Sequence, residues 1–210
     1  MSQTTLTRRH ILQGLGTAAL LGQAYSLAHA VENGDTASFA AVVKRRRMIR
    51  KYEDRPVPEE EIKKLLHYAV RAPSAGNLQP WEFILVRDPE VRAELAKAAM
   101  NQNSVATAPI IIATCADIQR MGDKYGTRGA FYSLVDTAFA SLLILLGATE
   151  QGLGACFVGA YNPEEVARIF QLPSHVRPVG LITLGYPAEK PRKPSNKKIS
   201  LENLIHENTW

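Results

Sequence analysis

Residues 72–83 concentrate side chains suited to binding a flat polar ligand. They read Ala-Pro-Ser-Ala-Gly-Asn-Leu-Gln-Pro-Trp-Glu-Phe. Ser74, Asn77 and Gln79 carry hydroxyl and amide groups that both donate and accept hydrogen bonds. Gly76 lets the backbone come close to a ligand. This mixture matches the edge of a flavin, where donors and acceptors alternate, whereas the structural alternative is a helix end followed by an ordinary turn.

A cationic segment lies earlier in the chain and offers charges for a phosphate. Residues 45–52 read Arg-Arg-Arg-Met-Ile-Arg-Lys-Tyr. Guanidinium groups fit phosphate oxygens in a bidentate manner, so the segment and the loop together predict a phosphorylated flavin. For each arginine taken alone, a solvated surface charge is the alternative.

The two segments together resemble the signature of the nitroreductase family. Members carry an Arg-Arg-Ser-x-Arg-x-aromatic run and then a Pro-Ser-x-x-Asn-x-Gln-Pro-Trp loop, and both patterns occur here in that order. Met48 replaces the serine that would meet the phosphate. The resemblance covers nearly all of the chain after Ala37, including Gly-Leu-Gly at 152–154 and Leu-Gly-Tyr-Pro-Ala-Glu at 184–189.

The resemblance implies both a fold and an activity. The implied fold is α+β, with a mostly antiparallel central sheet flanked by helices. The implied assembly is a homodimer whose C-terminal tail wraps the partner subunit, with one FMN in each of two interface sites. The implied activity is ping-pong hydride transfer through flavin N5 to a nitroaromatic, quinone or similar electron-poor acceptor, with NAD(P)H as a candidate donor.

Matching the family motif position by position gives the expected cofactor contacts. Arg46 and Arg47 would meet the phosphate or ribityl chain. Arg50 would reach the N1 and O2 edge, where a cation stabilises the negative charge of reduced flavin. The remaining expected contacts are Ser74, Ala75, Asn77 and Gln79 from the partner subunit, Phe157, Val158 and Gly159 along the ring, and Lys198 at the phosphate, with Arg192 or Lys197 as alternatives. The open side of the pocket is expected to be lined by Tyr125, Arg128 and Tyr132.

No catalytic protein residue and no metal ligand is expected, because the flavin carries the chemistry. Two alternatives stay open. The same fold and cofactor would serve reductive dehalogenation or oxidative flavin breakdown. Residues 45–51 would otherwise form a non-catalytic basic module for an anionic polymer or a membrane surface, although they lack interleaved stacking aromatic residues.

The first thirty residues have the layout of a twin-arginine signal peptide. Arg8 and Arg9 precede a glycine-interrupted apolar run and then Ala28-His29-Ala30, which offers a cleavage site. The run is too short and too rich in glycine to span a bilayer comfortably. Residues 1–30 are therefore predicted to be a leader for export to the periplasm or elsewhere outside the cytoplasm, and residues 31–210 the FMN-binding domain. The alternative is an ordinary disordered tail.

Charge argues against a nucleic-acid partner. The net charge of the whole chain is +5, and setting the leader aside leaves 23 basic against 20 acidic residues. A protein that binds nucleic acid over much of its surface carries a larger excess of cations. The expected partners are a small-molecule substrate and a second copy of the chain.

Hydrophobic periodicity and capping residues predict the elements that position these groups. The predicted strands are 81–86, 109–115, 152–159 and 179–184, and residues 117–126 are predicted to be a polar connection. The predicted helices are 38–47, a helix after Pro58, 88–103, 129–151 and a short helix after Asn162. In the first helix the residues predicted to face inward are Phe39, Val42 and Val43. In the helix after Pro58 they are Ile62, Leu65, Leu66, Ala69 and Val70.

The helix at 129–151 is the longest apolar region and is predicted to be a buried or dimer-facing helix. Asp136 and Thr137 interrupt it, which makes a membrane span a poor interpretation. Its inward candidates are Leu134, Ala138, Ser141, Leu142, Leu145 and Leu146. The two cysteines, Cys115 and Cys156, lie in apolar strands and are predicted to be buried free thiols, with a disulfide between neighbouring strands as the alternative.

Overall fold

A four-stranded antiparallel sheet organises the domain, with strand order β1-β2-β4-β3. The computed structural model describes residues 38–191 and 199–210. The strands are β1 Trp81–Val86, β2 Ile110–Asp117, β3 Gly154–Val158 and β4 Val176–Gly185. Strand β2 is almost wholly buried, as its β-branched Ile-Ile-Ile run favours. Strands β1 and β3 are the two edges of the sheet.

The chain divides into two units, Met1–Ala41 and Val42–Trp210, and the second contains the sheet. Seven helices occur in the described residues. They are α1 Phe39–Arg45, α2 Glu59–Ala69, α3 Pro89–Ala98, α4 Asn103–Thr107, α5 Ile118–Tyr125, α6 Gly129–Glu150 and α7 Pro163–Ile169. Short 3₁₀ turns lie at Ala75–Asn77, Gly126–Arg128 and Leu201–Leu204.

Two apolar clusters cover the two faces of the sheet. One joins α2 and α6 to the sheet and contains Leu65, Ile144 and Ile182. The other joins α3 and α7 to the opposite face and contains Leu95 and Val166. Each strand alternates its side chains between these clusters, so the sheet is covered on both faces.

The predicted strands and the central helix are confirmed, with small shifts at their ends. Helix α6 spans Gly129–Glu150, and α7 begins at Pro163, where the Asn162 side chain accepts hydrogen bonds from two backbone N–H groups. Cys115 and Cys156 are buried free thiols, as predicted, on β2 and β3 with β4 between them. Burial raises the pKa of both thiols, that of Cys115 to about 12.

Two predictions about the chain path were wrong. Residues 117–126 are not a polar connection, because Ile118–Tyr125 forms helix α5, which Asp117 caps by accepting the Arg120 N–H. The helix predicted at 88–103 ends at Ala98, since Met100 and Asn101 adopt left-handed φ values of 56° and 54°. A new short helix then starts at Asn103.

Several apolar residues predicted to face inward are exposed in the single chain. Val42 is buried in α1, but Phe39 and Val43 are exposed, and Val70 is exposed at the end of α2. On α6, Ser141 and Leu145 are buried as predicted, whereas the exposed members of the predicted set are Leu134, Ala138 and Leu142. Periodicity locates an apolar face but does not reveal whether the same chain covers it.

The helical stretch Ile118–Glu150 contains an 18-residue window with a mean hydropathy of 1.7, which is long and apolar enough to cross a membrane. A helix buried in the core of a soluble protein can be equally long and apolar. Helix α6 buries four polar side chains, Ser133, Asp136, Thr137 and Ser141, inside the domain. Those side chains and its contacts with α2 and the sheet suit a core helix better than a membrane span.

Candidate functional site

The cationic segment runs along the free edge of β3. Met48 forms a parallel bridge with Ala155, and the Ile49 N–H donates to the Ala155 carbonyl at 3.0 Å. The segment then meets the end of β4, where the Ala188 N–H donates to the Lys51 carbonyl at 3.0 Å. The predicted phosphate-binding arginines therefore lie beside the strand that carries Phe157 and Val158.

The three predicted arginines have different surroundings. Nη1 of Arg46 is buried and has no hydrogen-bond partner among the described residues. Arg47 Nη1 donates to the carbonyls of Lys44 and Arg46 at 2.9 and 2.7 Å. Arg50 is exposed, and its backbone N–H donates to the Glu189 carboxylate at 2.6 Å. A buried guanidinium nitrogen without a partner is costly, so Arg46 fits an anionic group such as the FMN phosphate.

Tyr52 ties the cationic segment to the sheet. Its hydroxyl lies 2.5 Å from the Ile49 carbonyl and 2.6 Å from Thr183 Oγ1. Burial raises the pKa of Tyr52 above its ordinary value, although the Thr183 hydrogen bond opposes part of the shift. Sequence reasoning included Tyr52 in the motif but gave it no role, and it gave no role to Glu189. Both residues act through partners that are distant in sequence, Thr183 for Tyr52 and Arg50 for Glu189.

The amide-bearing loop holds a strained conformation. Gly76, Asn77 and Gln79 adopt φ values of 58°, 57° and 50°, a region that glycine tolerates and that costs other residues energy. Ser74 stabilises the turn, since its Oγ accepts the Gln79 N–H at 3.0 Å and its carbonyl accepts the Asn77 N–H at 3.0 Å. The Gln79 amide also donates to Asn77 Oδ1 at 3.1 Å. Asn77 and Gln79 remain exposed.

Two residues that sequence reasoning missed hold this loop from either end. Asp136 Oδ2, from helix α6, accepts the Ala75 N–H at 2.9 Å. Arg120, from α5, donates to the Gln79 carbonyl at 2.7 Å and pairs with the carboxylates of Glu82 and Asp117. Asp136 had one visible signal, a carboxylate in an apolar helix, but nothing in its spacing pointed to the loop.

The predicted ring-facing residues lie at the end of β3. Phe157 is half-buried, and its ring lies on Gly180 of β4, where any side chain would collide with it. Val158 is buried in the core, so only its backbone can face a ligand. Gly159 is exposed.

One chain brings together only part of the predicted site. The cationic segment and β3 are adjacent, whereas loop 74–79 precedes β1 at the opposite edge of the sheet. Three strand spacings separate those edges, about 14 Å. Two clefts of about 190 and 210 Å³ contain Arg47 and Arg50, respectively, and each is smaller than a typical ligand pocket of about 300–1,000 Å³. Lys198, Arg192 and Lys197 lie outside the described residues.

Comparison with known proteins identifies the family. The chain matches the nitroreductase family model over residues 43–109 and 101–186. It is 36% identical over 191 residues to an NADH dehydrogenase of Thermus thermophilus, covering 77% of this chain and 91% of that protein. The chain belongs to the nitroreductase family.

Further relatives agree with this assignment. An FMN reductase (NADPH) of Bacillus subtilis is 31% identical over 182 residues, which cover 78% of this chain and 71% of that protein. A crystal structure of a nitroreductase family protein from Clostridium novyi NT superposes with a TM-score of 0.68 and 31% identity, covering 75% and 89% of the two chains. The predicted α+β nitroreductase-like fold is confirmed.

A cluster of aromatic and cationic side chains adjoins the amide loop of this nitroreductase. The rings of Tyr125 and Tyr132 meet edge to face at 5.1 Å, and the Arg128 guanidinium lies 4.9 Å from the Tyr132 ring centre. A Cβ atom at Gly76 would lie 2.6 Å from the Tyr125 hydroxyl and 2.5 Å from Lys124 Nζ. The three residues predicted to line the open side thus lie together beside the loop, although their contact with a ligand stays a prediction.

Acidic, histidine and cysteine side chains form no metal-binding group of three or more within 38–191 and 199–210. The polar groups that do converge are guanidinium, amide, hydroxyl and backbone groups. Such groups suit an organic anion and a heterocycle rather than a metal ion.

We predict that Tyr52→Phe lowers the free energy of unfolding by about 1–3 kcal/mol, because the Thr183 hydroxyl and Ile49 carbonyl lose a buried partner. Since the pKa of Tyr52 is raised in the folded state, its contribution is complete below the unfolded pKa of about 10 and is lost as the pH rises beyond it. The difference between the two proteins in urea titrations should therefore shrink above pH 10.

Tyr161→Phe is the matched control. Burial raises the pKa of Tyr161 to about 12, but its hydroxyl makes no hydrogen bond to another described residue. Its removal should leave the stability at pH 7 within about 0.5 kcal/mol of the wild type. Equal losses in both variants would contradict the role given to the Tyr52 hydroxyl.

Proposed function

We propose that this protein is an FMN-dependent oxidoreductase that passes hydride from NAD(P)H to a nitroaromatic, quinone or similar electron-poor acceptor. Membership of the nitroreductase family supports the enzyme class, and relatives named as FMN and NAD(P)H reductases support the cofactor and donor. The observation that carries the proposal is the buried Arg46 Nη1, which has no partner among the described residues and belongs to the segment that pairs with β3 through Met48 and Ile49.

The chain's own residues bind and orient the cofactor. Arg46 and Arg47 hold the phosphate and ribityl chain, and Arg50 places a positive charge at the edge of the ring where reduction adds electron density. Phe157 supports the ring, and exposed Gly159 offers backbone groups without a side chain in the way. FMN supplies the hydride chemistry when bound, so no protein nucleophile is required.

A second copy of the chain completes the site. Helix α6 leaves Phe131, Leu134, Phe139 and Leu142 between 42% and 64% exposed, an apolar face that a homodimer would cover. Pairing through this face lets loop 74–79 of one copy reach the β3 edge of the other. The C-terminal segment exposes Leu201, Leu204 and Trp210, which suits a tail that wraps the partner subunit.

The mature enzyme works outside the cytoplasm. The paired arginines, the glycine-rich apolar run and the Ala-His-Ala triplet of residues 1–30 form a twin-arginine leader. That route carries folded proteins, which allows FMN to be bound before export. Because NAD(P)H is scarce outside the cytoplasm, NAD(P)H is the donor proposed for the purified and cytoplasmic enzyme, and a different reduced donor replaces it after export.

Arg46→Ala should weaken FMN binding about 10- to 100-fold, because a charge-assisted contact with the phosphate is lost. Riboflavin lacks the phosphate, so its affinity should change much less. Fluorescence titration of the purified, cofactor-depleted protein with both flavins measures the two dissociation constants. Arg45→Ala, an exposed neighbour in the same run, is the matched control and should alter neither.

Two outcomes would count against this assignment. If Arg46→Ala weakened riboflavin and FMN binding equally, Arg46 would not be a phosphate ligand. If the wild-type protein were colourless and bound no flavin, while binding polyanions in a salt-sensitive way, the basic-module alternative would replace the enzyme.

Leu142→Glu should convert the dimer to a monomer at micromolar concentration, since a carboxylate in a paired apolar face is desolvated without a partner. Light scattering coupled to gel filtration measures the mass, and FMN should be lost together with the partner. Met100→Glu, on the other face of the sheet, should remain dimeric. A flavin-loaded monomer would contradict a shared site.

Replacing Arg8 and Arg9 with lysine should block export, because the twin-arginine route reads that pair. Cell fractionation of the full-length chain, followed by immunoblotting, gives the result. The expected outcome is retention of a yellow protein in the cytoplasm. If the double variant were exported as well as the wild type, the assignment of residues 1–30 as a twin-arginine leader would be wrong. The proposed enzymatic function would not be affected.

A further inference from the structure

The central helix α6 carries a buried carboxylate directed at the amide loop. Asp136 is 4% exposed, and its one hydrogen bond among the described residues comes from the Ala75 N–H at 2.9 Å. Burial raises the pKa of Asp136, and the Ala75 N–H opposes part of that shift. Ser133 and Ala140, one turn before and one turn after Asp136 on α6, are buried as well, so a carboxylate with a single hydrogen bond at this position is costly for packing alone.

The hydrogen bond falls at the residue that begins the strained turn. Ala75 is the first residue of the 3₁₀ turn, and the left-handed residues Gly76, Asn77 and Gln79 follow it. Left-handed conformations at asparagine and glutamine persist where the surroundings fix them. Ser74 supplies the bonds within the turn, but only contacts from outside can fix the orientation of the whole turn relative to the domain.

Arg120 provides a second outside contact, of a different kind. Its guanidinium donates to the Gln79 carbonyl but is shared with two carboxylates and is partly exposed. Asp136 is buried and has no competing partner among the described residues. The Asp136 contact is therefore the less replaceable of the two.

We infer that Asp136 is a positioning residue for the cofactor: its carboxylate fixes the Ala75 N–H so that loop 74–79 has its binding conformation before FMN arrives. The inference rests on the proposed function and deepens it. The exposed apolar residues of α6 lie on a different side of the helix from Asp136. The helix that would contact the second copy therefore also positions the loop that would contribute to that copy's site. A loop fixed in advance loses less entropy on binding.

The test uses the purified full-length protein and two measurements. The first is hydrogen exchange of the peptide covering residues 74–79, followed by mass spectrometry without added flavin. The second is the FMN dissociation constant by fluorescence titration. Asp136→Ala should speed exchange of this peptide about tenfold and weaken FMN binding about 10- to 100-fold, with exchange in β2 unchanged.

Thr137→Val is the matched control on the same helix. The Thr137 hydroxyl is buried and has no partner among the described residues, so the isosteric change should leave both measurements within about twofold of the wild type. If the substitutions only loosened helix α6, hydrogen exchange would become faster in both variants and in the β2 peptides as well. The comparison therefore distinguishes a positioning role of Asp136 from a role in fold stability.

Asp136→Asn keeps an acceptor but removes the charge, so it should restore part of the effect and leave FMN binding about 3- to 10-fold weaker. It also serves if Asp136→Ala does not fold. Wild-type exchange in the loop and wild-type FMN affinity in the asparagine variant, or in a folded alanine variant, would overturn the inference. If the wild-type protein binds no FMN, the proposed function fails, while the exchange measurement still decides whether Asp136 holds the loop.

Discussion

The attachment of the cationic segment to the free edge of β3 is the interaction on which the rest of the site depends. Backbone hydrogen bonds from Ile49 to Ala155 and from Ala188 to Lys51, together with the hydroxyl contacts of Tyr52, fix a segment that forms no helix or strand after Arg45. Because the segment is fixed, the Arg46 guanidinium is held partly buried with one nitrogen unpaired among the described residues. Such a group is unfavourable in the free protein and becomes favourable when an anion enters.

The order of strands in the sheet decides what one chain can and cannot do. Cations and the β3 backbone share one edge, while the amide loop enters the sheet at the other. Strand order cannot be altered by side-chain movement, so the two edge strands beside which these groups lie stay three strand spacings, about 14 Å, apart within a chain. This separation supports the proposal that a ligand contacting both groups binds between two copies of the chain, which would also cover the exposed apolar face of α6.

Sequence reasoning reached the elements and the two motifs but not the contacts between them. A run of β-branched residues indicates a strand such as β2, and a long apolar stretch indicates helix α6. Both elements were therefore predictable from the sequence. Helix α5 was missed because its single buried anchor, Met121, lies among polar residues, and its cap, Asp117, resembles an ordinary loop residue. Tyr52, Glu189 and Asp136 act on partners between 61 and 139 residues away in sequence, distances at which periodicity carries no information.

Helix α6 has to satisfy three demands at once, and its composition reflects all of them. Facing the sheet and α2, it needs small and apolar side chains, including Gly147, where a Cβ atom would come within 2.6 Å of the Tyr68 ring. Facing outward, it keeps large apolar groups, which the proposed dimer would cover. A helix selected only for packing would have no reason to retain Asp136, because a leucine of similar size would avoid the desolvation of a carboxylate. The carboxylate is best explained by its hydrogen bond to the strained loop, which ties the longest helix of the described residues to the part of the site that we propose is in place before a ligand binds.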